Sequence, residues 1–301
     1  MNRKLLIIGM FIFFMGMSYV SPAGAKMIKE VAIGVFSDAP SQIETDRFYM
    51  RYHGPEITRL SGPWMTNYQL WLPYEPPKEA VELFGAVRGR YAELWFREED
   101  YLDRPAGGGY ITLSTWRDPS KSRQANVIVT AVPTETFYDS NPNPEEGMIL
   151  RWVTFIRYPE GVSVEDGEKW FLNVYAKEAL KQPGLLKFVS YKTLSLGNPE
   201  ASGGKTAPPD GKMTPADGGK TAPADGKTAQ SGGKGAEMKS WVRMCEYWYK
   251  DFNSWRKAVL ESPPKYTAPA WGGKYPFVEM ESTFVPYMPD VDFLKGGYII
   301  P

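Results

Sequence analysis

The stretch Ala92-Glu93-Leu94-Trp95-Phe96 returns 153 residues later as Cys245-Glu246-Tyr247-Trp248-Tyr249, with the carboxylate and the tryptophan in the same places. Its surroundings return too. A strand over 31–36 and a helix over about 43–60, stopped by Ser61-Gly62-Pro63, are matched by a strand over 150–156 and a helix over about 165–180, stopped by Gln182-Pro183-Gly184. The first helix carries Phe48, Tyr52, Ile57 and Leu60 at helical spacing, and the second carries Trp170, Phe171, Val174 and Ala179. Proline and glycine just beyond each run end it. Strands follow at 64–72 and 186–194, and last strands at 127–132, running on to 137, and at 277–280, running on to 284. Gly62 and Gly184 lie 122 apart, so the second half is longer by 31 residues between its second and third strands. The excess falls in 197–239, where GGKTAP occurs twice among Gly, Pro, Ala, Lys, Thr and Asp. That composition lacks the apolar surface needed to offset ordering and predicts a disordered spacer. Inserting it into a surface loop costs little closure entropy.

Each half therefore reads β-α-β-β-(α)-β, the split β-α-β or ferredoxin-like order. Helices cover one face of such a sheet, and the other face has to be buried against something. Two independent domains would leave two apolar faces in water. The expected fold class is α+β: two ferredoxin-like repeats, 26–145 and 146–301, forming one pseudo-dimeric α+β barrel. The chain would be a monomer acting as its own dimer, with a higher oligomer left open.

Residues 1–25 read as an address. Asn2-Arg3-Lys4 gives a positive start, 5–17 is an apolar run, and Ala23-Gly24-Ala25 is a small–x–small cleavage pattern. The run of about 13 residues is short of the ~20 that span a bilayer. This predicts a signal peptide cleaved after Ala25, a periplasmic or secreted mature chain and no membrane partner thereafter. Lys plus Arg and Asp plus Glu both number 35, so no basic excess points to nucleic acid. The single cysteine, Cys245, has no partner for an internal disulfide and reads as a buried structural thiol. One histidine and one cysteine among scattered carboxylates offer no zinc-like cluster, so no metal is expected.

The run Asp46-Arg47-Phe48-Tyr49-Met50-Arg51-Tyr52-His53-Gly54-Pro55-Glu56-Ile57, with Arg59-Leu60 and Gly62, resembles the first-helix signature of the EthD family. Arg90-Tyr91-Ala92-Glu93-Leu94-Trp95-Phe96 resembles that family's third strand. The resemblance covers roughly 28–140 well and 148–287 more weakly, since Tyr175-Ala176-Lys177 stands where the first half has His53-Gly54-Pro55. It implies the dimeric α+β barrel superfamily, whose members include cofactor-free oxygenases, isomerases, cyclases and some haem proteins. Haem could use only His53 here, whereas the haem-binding relatives carry their histidine in the second half. No cofactor is expected.

Alternation along the third strand puts Tyr91, Glu93 and Trp95 on one face and Ala92, Leu94 and Phe96 on the other. The uniformly apolar set suits the helix side, so Glu93 and its neighbours should face the barrel interior. Glu246 and Trp248 would face it from the second half. Tyr68 joins them as an aromatic from the second strand, with Asn67 as the polar alternative on its opposite face. His53, placed before Gly54-Pro55, is expected to leave the helical path and, by the family signature, to reach the pocket. The expected site is therefore catalytic His53 and Glu93, with ligand contacts from Tyr68, Tyr91, Trp95, Glu246 and Trp248. The competing reading of Glu93 is a carboxylate paired with an arginine such as Arg151 or Arg243. The function expected is binding of a small hydrophobic or aromatic molecule, with cofactor-free acid/base or oxygenase-type chemistry if the chain is an enzyme. The alternatives are a non-catalytic periplasmic ligand-binding or accessory protein, and a surface-interaction protein whose barrel is simply packed.

Overall fold

The computed structural model describes residues 26–36, 41–103, 122–130, 132–140, 149–194, 241–295 and 297–298. The expected signal peptide (1–25) and the spacer (197–239) lie outside them. The first half contains β1 (Met27–Phe36), α1 (Gln42–Phe48), α2 (Gly54–Ser61), β2 (Met65–Trp71), α3 (Lys78–Phe84), β3 (Arg90–Arg97), α4 (Glu98–Asp103) and β4 (Ser122–Thr130). Then come β5 (Glu135–Asp139), β6 (Leu150–Arg157), α5 (Val164–Trp170), α6 (Ala176–Ala179), β7 (Lys187–Lys192), β8 (Arg243–Tyr249), α7 (Phe252–Arg256), β9 (Glu279–Pro286), β10 (Val291–Asp292) and β11 (Gly297–Tyr298). Four strands of the first sheet run in the order β2-β3-β1-β4, and four of the second run β7-β8-β6-β9. Counted within each half, both are 2-3-1-4, the ferredoxin-like order, and the ladders are antiparallel. The chain is thus an α+β protein of two antiparallel sheets in a pseudo-dimeric barrel.

The last strands depart from expectation. The strand expected to run on to 137 ends at Thr130, and β5 is separate, pairing with β7 of the second sheet. Pro133 has no N–H to donate and breaks the ladder between them. Reciprocally, β10 leaves the second half and pairs with β2 of the first. The free edge of β9 is met by the first half, through the parallel bridge Ala86–Ser282 and the hydrogen bonds from Val87 N–H to the Ser282 carbonyl and from Tyr74 N–H to the Phe284 carbonyl. Each half therefore lends backbone to the other's sheet, which closes the barrel and covers edges that would otherwise template aggregation.

The first helix does not kink out of the helical path at Gly54-Pro55. It passes through a π turn, Tyr49–His53, and Gly54 keeps α-helical angles, its N–H bonding the Tyr49 carbonyl. The wider turn relieves the clash a proline ring would make with the carbonyl four residues back. Gly54 is needed for another reason: a Cβ there would lie 2.0 Å from the Phe293 ring, which arrives beside β10 from the second half. The second helix has a π turn in the corresponding place, Phe171–Tyr175, with Ala176 after it.

Three apolar layers result. Ala92, Leu94 and Phe96 pack under α1 and α2, and Trp152, Tyr247 and Phe284 pack under α5–α7. Between the sheets, Val31, Ile33, Trp71, Tyr91, Val153, Phe155, Val189, Met244 and Val285 are all buried. At about 1.5–3 kcal/mol per fully buried aliphatic or aromatic side chain, this middle layer is what joins the halves.

Candidate functional site

Four charges are buried in that middle layer. Lys29 of β1 and Arg151 of β6 face Glu93 of β3 and Glu246 of β8, and none is more than 5% exposed. Lys29 Nζ lies 3.2 Å from Glu246 and 3.7 Å from Glu93. Arg151 Nη1 lies 3.0 Å from Glu93 and 3.7 Å from Glu246. Glu93 also accepts from Tyr91 Oη at 2.7 Å and from Trp95 Nε1 at 3.3 Å. The cluster is net neutral, as burial demands. Desolvation would raise the Glu93 carboxyl, but Lys29 and Arg151 outweigh it and hold it below the ordinary carboxylate range. Burial would likewise discharge Lys29, and Glu93 with Glu246 keeps it charged, above the ordinary lysine range.

The arrangement is two-fold in character. Lys29 and Arg151 are 122 residues apart, the spacing of the helix stops, and Glu93 and Glu246 are 153 apart, the spacing of the third strands. Aromatic rings surround both cations. Lys29 Nζ sits 4.1 Å from the Tyr191 ring centroid and 5.3 Å from that of Trp95. The Arg151 guanidinium carbon sits 4.7 Å from Trp71, 5.2 Å from Tyr91 and 5.6 Å from Trp248. Trp95 and Trp248, in corresponding places on β3 and β8, are only half-buried, and Trp248 meets Tyr287, which is 38% exposed, edge to face. Each buried cation thus has a partly exposed tryptophan beside it.

Of the seven expected site residues, five converge here: Tyr91, Glu93 and Trp95 from the first half, Glu246 and Trp248 from the second. Two do not. His53 lies in the π turn on the helix side of the first sheet, 5.6 Å from the Phe48 ring and 5.0 Å from the Tyr49 ring. Glu93 is on the opposite face of that sheet, so the pair cannot share a reacting atom. Burial lowers the His53 pKa to about 4 against a weaker opposing pull from Glu56, leaving the imidazole neutral near pH 7. Nor can an imidazole on the outer face serve as an axial ligand to a group held between the sheets. Tyr68 is buried on the helix side against Phe293, at 4.8 Å. A register shift between Met65 and Asn67 sets the phase of β2, so that Tyr68 pairs with Leu94 and Asn67 with Trp95. Alternation places the β3 residues as expected, but in β2 it is Asn67, and not Tyr68, that shares the inward face with Trp95.

Sequence reasoning missed Lys29, Trp71 and Tyr191. The first strand was expected to start at residue 31, although Lys29 alternates in phase with Val31 and Ile33 and stands 122 residues before Arg151. Arg151 itself was named as a partner for Glu93 and is one. Cys245 is fully buried on the helix side, where burial raises its pKa to about 12 despite Arg243, so it is inert as a nucleophile. An open cleft of about 580 Å³ lies elsewhere, beside α5, lined by Val162, Lys169, Trp170, Asn173, Val174 and Trp271. It contains none of the seven residues.

In sequence, neither a family model nor a curated protein matches the chain. In structure it is similar to an anthrone oxidase-like protein, at 11% identity and a TM-score of 0.46, over 90% of this chain and 93% of that one. It is also similar to a chlorite dismutase mutant from Candidatus Nitrospira defluvii solved with cyanide, at 8% identity and a TM-score of 0.37, over 86% of this chain and 91% of that one. At these identities the likeness is one of fold. What the site can do has to come from its own residues.

Proposed function

We propose that this chain is an exported protein that binds a small hydrophobic molecule between its two sheets, and that it arose by tandem duplication of an EthD-like half. The observation that carries the binding reading is the pair of half-buried tryptophans, Trp95 and Trp248, each standing beside a buried cation between the sheets. Amphipathic aromatic rims around a few fixed polar groups are how small-molecule sites are built. Non-catalytic binding is favoured over acid/base turnover. The one histidine is on the wrong face of its sheet, and Glu93 is held ionised by two cations, a poor state for a general acid and a weak one for a base. Export rests on the pattern of residues 1–25 alone. Native mass spectrometry of the mature protein, purified from a periplasmic extract, tests the binding reading. A bound organic compound that quenches tryptophan fluorescence on re-addition is expected. A chain that comes through ligand-free, and whose fluorescence no aromatic or cyclic compound alters, would end it.

A further inference from the structure

The Arg151 end has more donors than acceptors. Arg151 uses Nη1 on Glu93, while its Nε and Nη2 have no hydrogen-bond acceptor among the described residues. The indole nitrogens of Trp71 and Trp248 are also shielded from water and without an acceptor there. These four N–H-bearing nitrogens belong to side chains gathered around one guanidinium, with the two indole rings 4.7 and 5.6 Å from its carbon. Trp71 is 3% exposed and Arg151 5% exposed, so neither can turn to solvent. A buried donor left unpaired is costly, and buried polar groups in folded proteins nearly always find a partner. The Lys29 end differs, because there Trp95 Nε1 is satisfied by Glu93.

The charge at this end, by contrast, is already met. Glu93 and Glu246 stand 3.0 and 3.7 Å from Arg151 and balance it together with Lys29. The surplus is one of hydrogen-bond donors and not of positive charge. Resting on the binding reading above, we infer that the Arg151 end receives a neutral, flat ligand through a carbonyl-type oxygen, which accepts from Arg151 and from the Trp71 and Trp248 indoles. An added carboxylate would bring an uncompensated negative charge beside Glu93 and Glu246, and desolvating it there is unfavourable.

Three probes of one shape decide it: 1-tetralone (neutral, with a carbonyl), tetralin (the same rings without an acceptor) and 1-naphthoate (charged). Binding to the full mature chain is measured by calorimetry, and the indole N–H resonances of ¹⁵N-tryptophan-labelled protein report the contacts. The expected result is that tetralone binds at least about tenfold tighter than tetralin, the scale set by donors left unpaired. It should also move two indole N–H signals downfield, those lost in Trp71→Phe and Trp248→Phe. Trp71→Phe keeps a ring in place, so it should weaken tetralone several-fold and leave tetralin unchanged. Equal affinity for tetralone and tetralin, with Trp71→Phe silent, would overturn the carbonyl inference and leave the binding reading standing. Tightest binding by naphthoate would overturn the neutral-ligand claim in the same way. No binding by any of the three, on protein that also carries no ligand from the cell, would sink both.

Discussion

Two kinds of buried cation hold this molecule together, and they differ in how completely they are used. On the helix side, Arg90 and Arg243 occupy the first positions of β3 and β8. Arg90 binds Asp46 of α1 at 2.7 Å and Asp290, just before β10, at 2.6 Å. Arg243 binds Glu168 of α5 through Nε and Nη2, both at 2.7 Å, and binds Glu135 of β5 and the Ser190 hydroxyl as well. Each arginine thus ties a helix of its own half to a segment lent by the other half. Between the sheets, Arg151 makes one such bond and leaves two nitrogens without an acceptor among the described residues. A fully spent arginine is a fastener, whereas one kept under-used in a dry interior is held ready for something else.

Breaking a fastener should therefore cost most. Arg243→Met leaves Glu135 and Glu168 without their cation and loosens β5, and about 3–5 kcal/mol of stability should go, read as a drop in the denaturant midpoint. Glu93→Gln comes next. It strips Arg151 and Lys29 of half their compensation, at a cost of about 2–3 kcal/mol at pH 7 on the scale of hydrogen bonds to charged groups. The sign with pH follows from the depressed Glu93 carboxyl. Its contribution is present above the ordinary carboxylate range and is lost as pH falls through that range toward the folded value. The gap between wild type and Glu93→Gln should accordingly narrow in acid. A gap that stays constant from pH 7 to pH 3 would mean that the cluster does not hold Glu93 ionised.

The fasteners and the interior were legible to different degrees. Strand order followed from the repeat because the pattern of each half is local. The inward face of β3 followed from Ala92, Leu94 and Phe96, three apolar residues in phase. Sequence alone did not show the exchange of β5 and β10, which depends on where a ladder stops, as at Pro133, and on which edge lies nearest. Arg90 and Arg243 bear the third-strand spacing of 153, and Asp46 and Glu168 the helix spacing of 122, so the fasteners were written in the same register as the repeat. Their partners Asp290 and Glu135 come from exchanged segments and could not be found that way. Tyr68 was misplaced because one irregular residue in β2 inverts the phase of everything after it.

His53 provides a weaker test of the helix side. Its pKa falls from the ordinary 6.5 to about 4 in the fold, so the unfolded chain takes up a proton across that interval while the native chain does not. Stability is then full above pH 6.5 and declines as pH drops toward 4. His53→Gln should flatten the slope of Tm against pH in that window and change little at pH 7.5. An identical slope in the variant would place the imidazole in water.

The smallest expected effect is the most telling for the contrast between the two arginines. Trp71→Phe keeps an aromatic ring beside the Arg151 guanidinium and deletes an indole N–H that has no acceptor among the described residues. Losing ring area costs stability, while losing an unsatisfied donor returns some of it, so the sum should fall within about 1 kcal/mol of zero. Were the Trp71 indole a structural hydrogen bond like those of Arg243, the change would cost several times more. A midpoint shift in urea as large as that of Glu93→Gln would show that the Arg151 end is merely another fastener, and a near-zero shift marks it as a place where the fold leaves hydrogen bonds to be completed by another molecule.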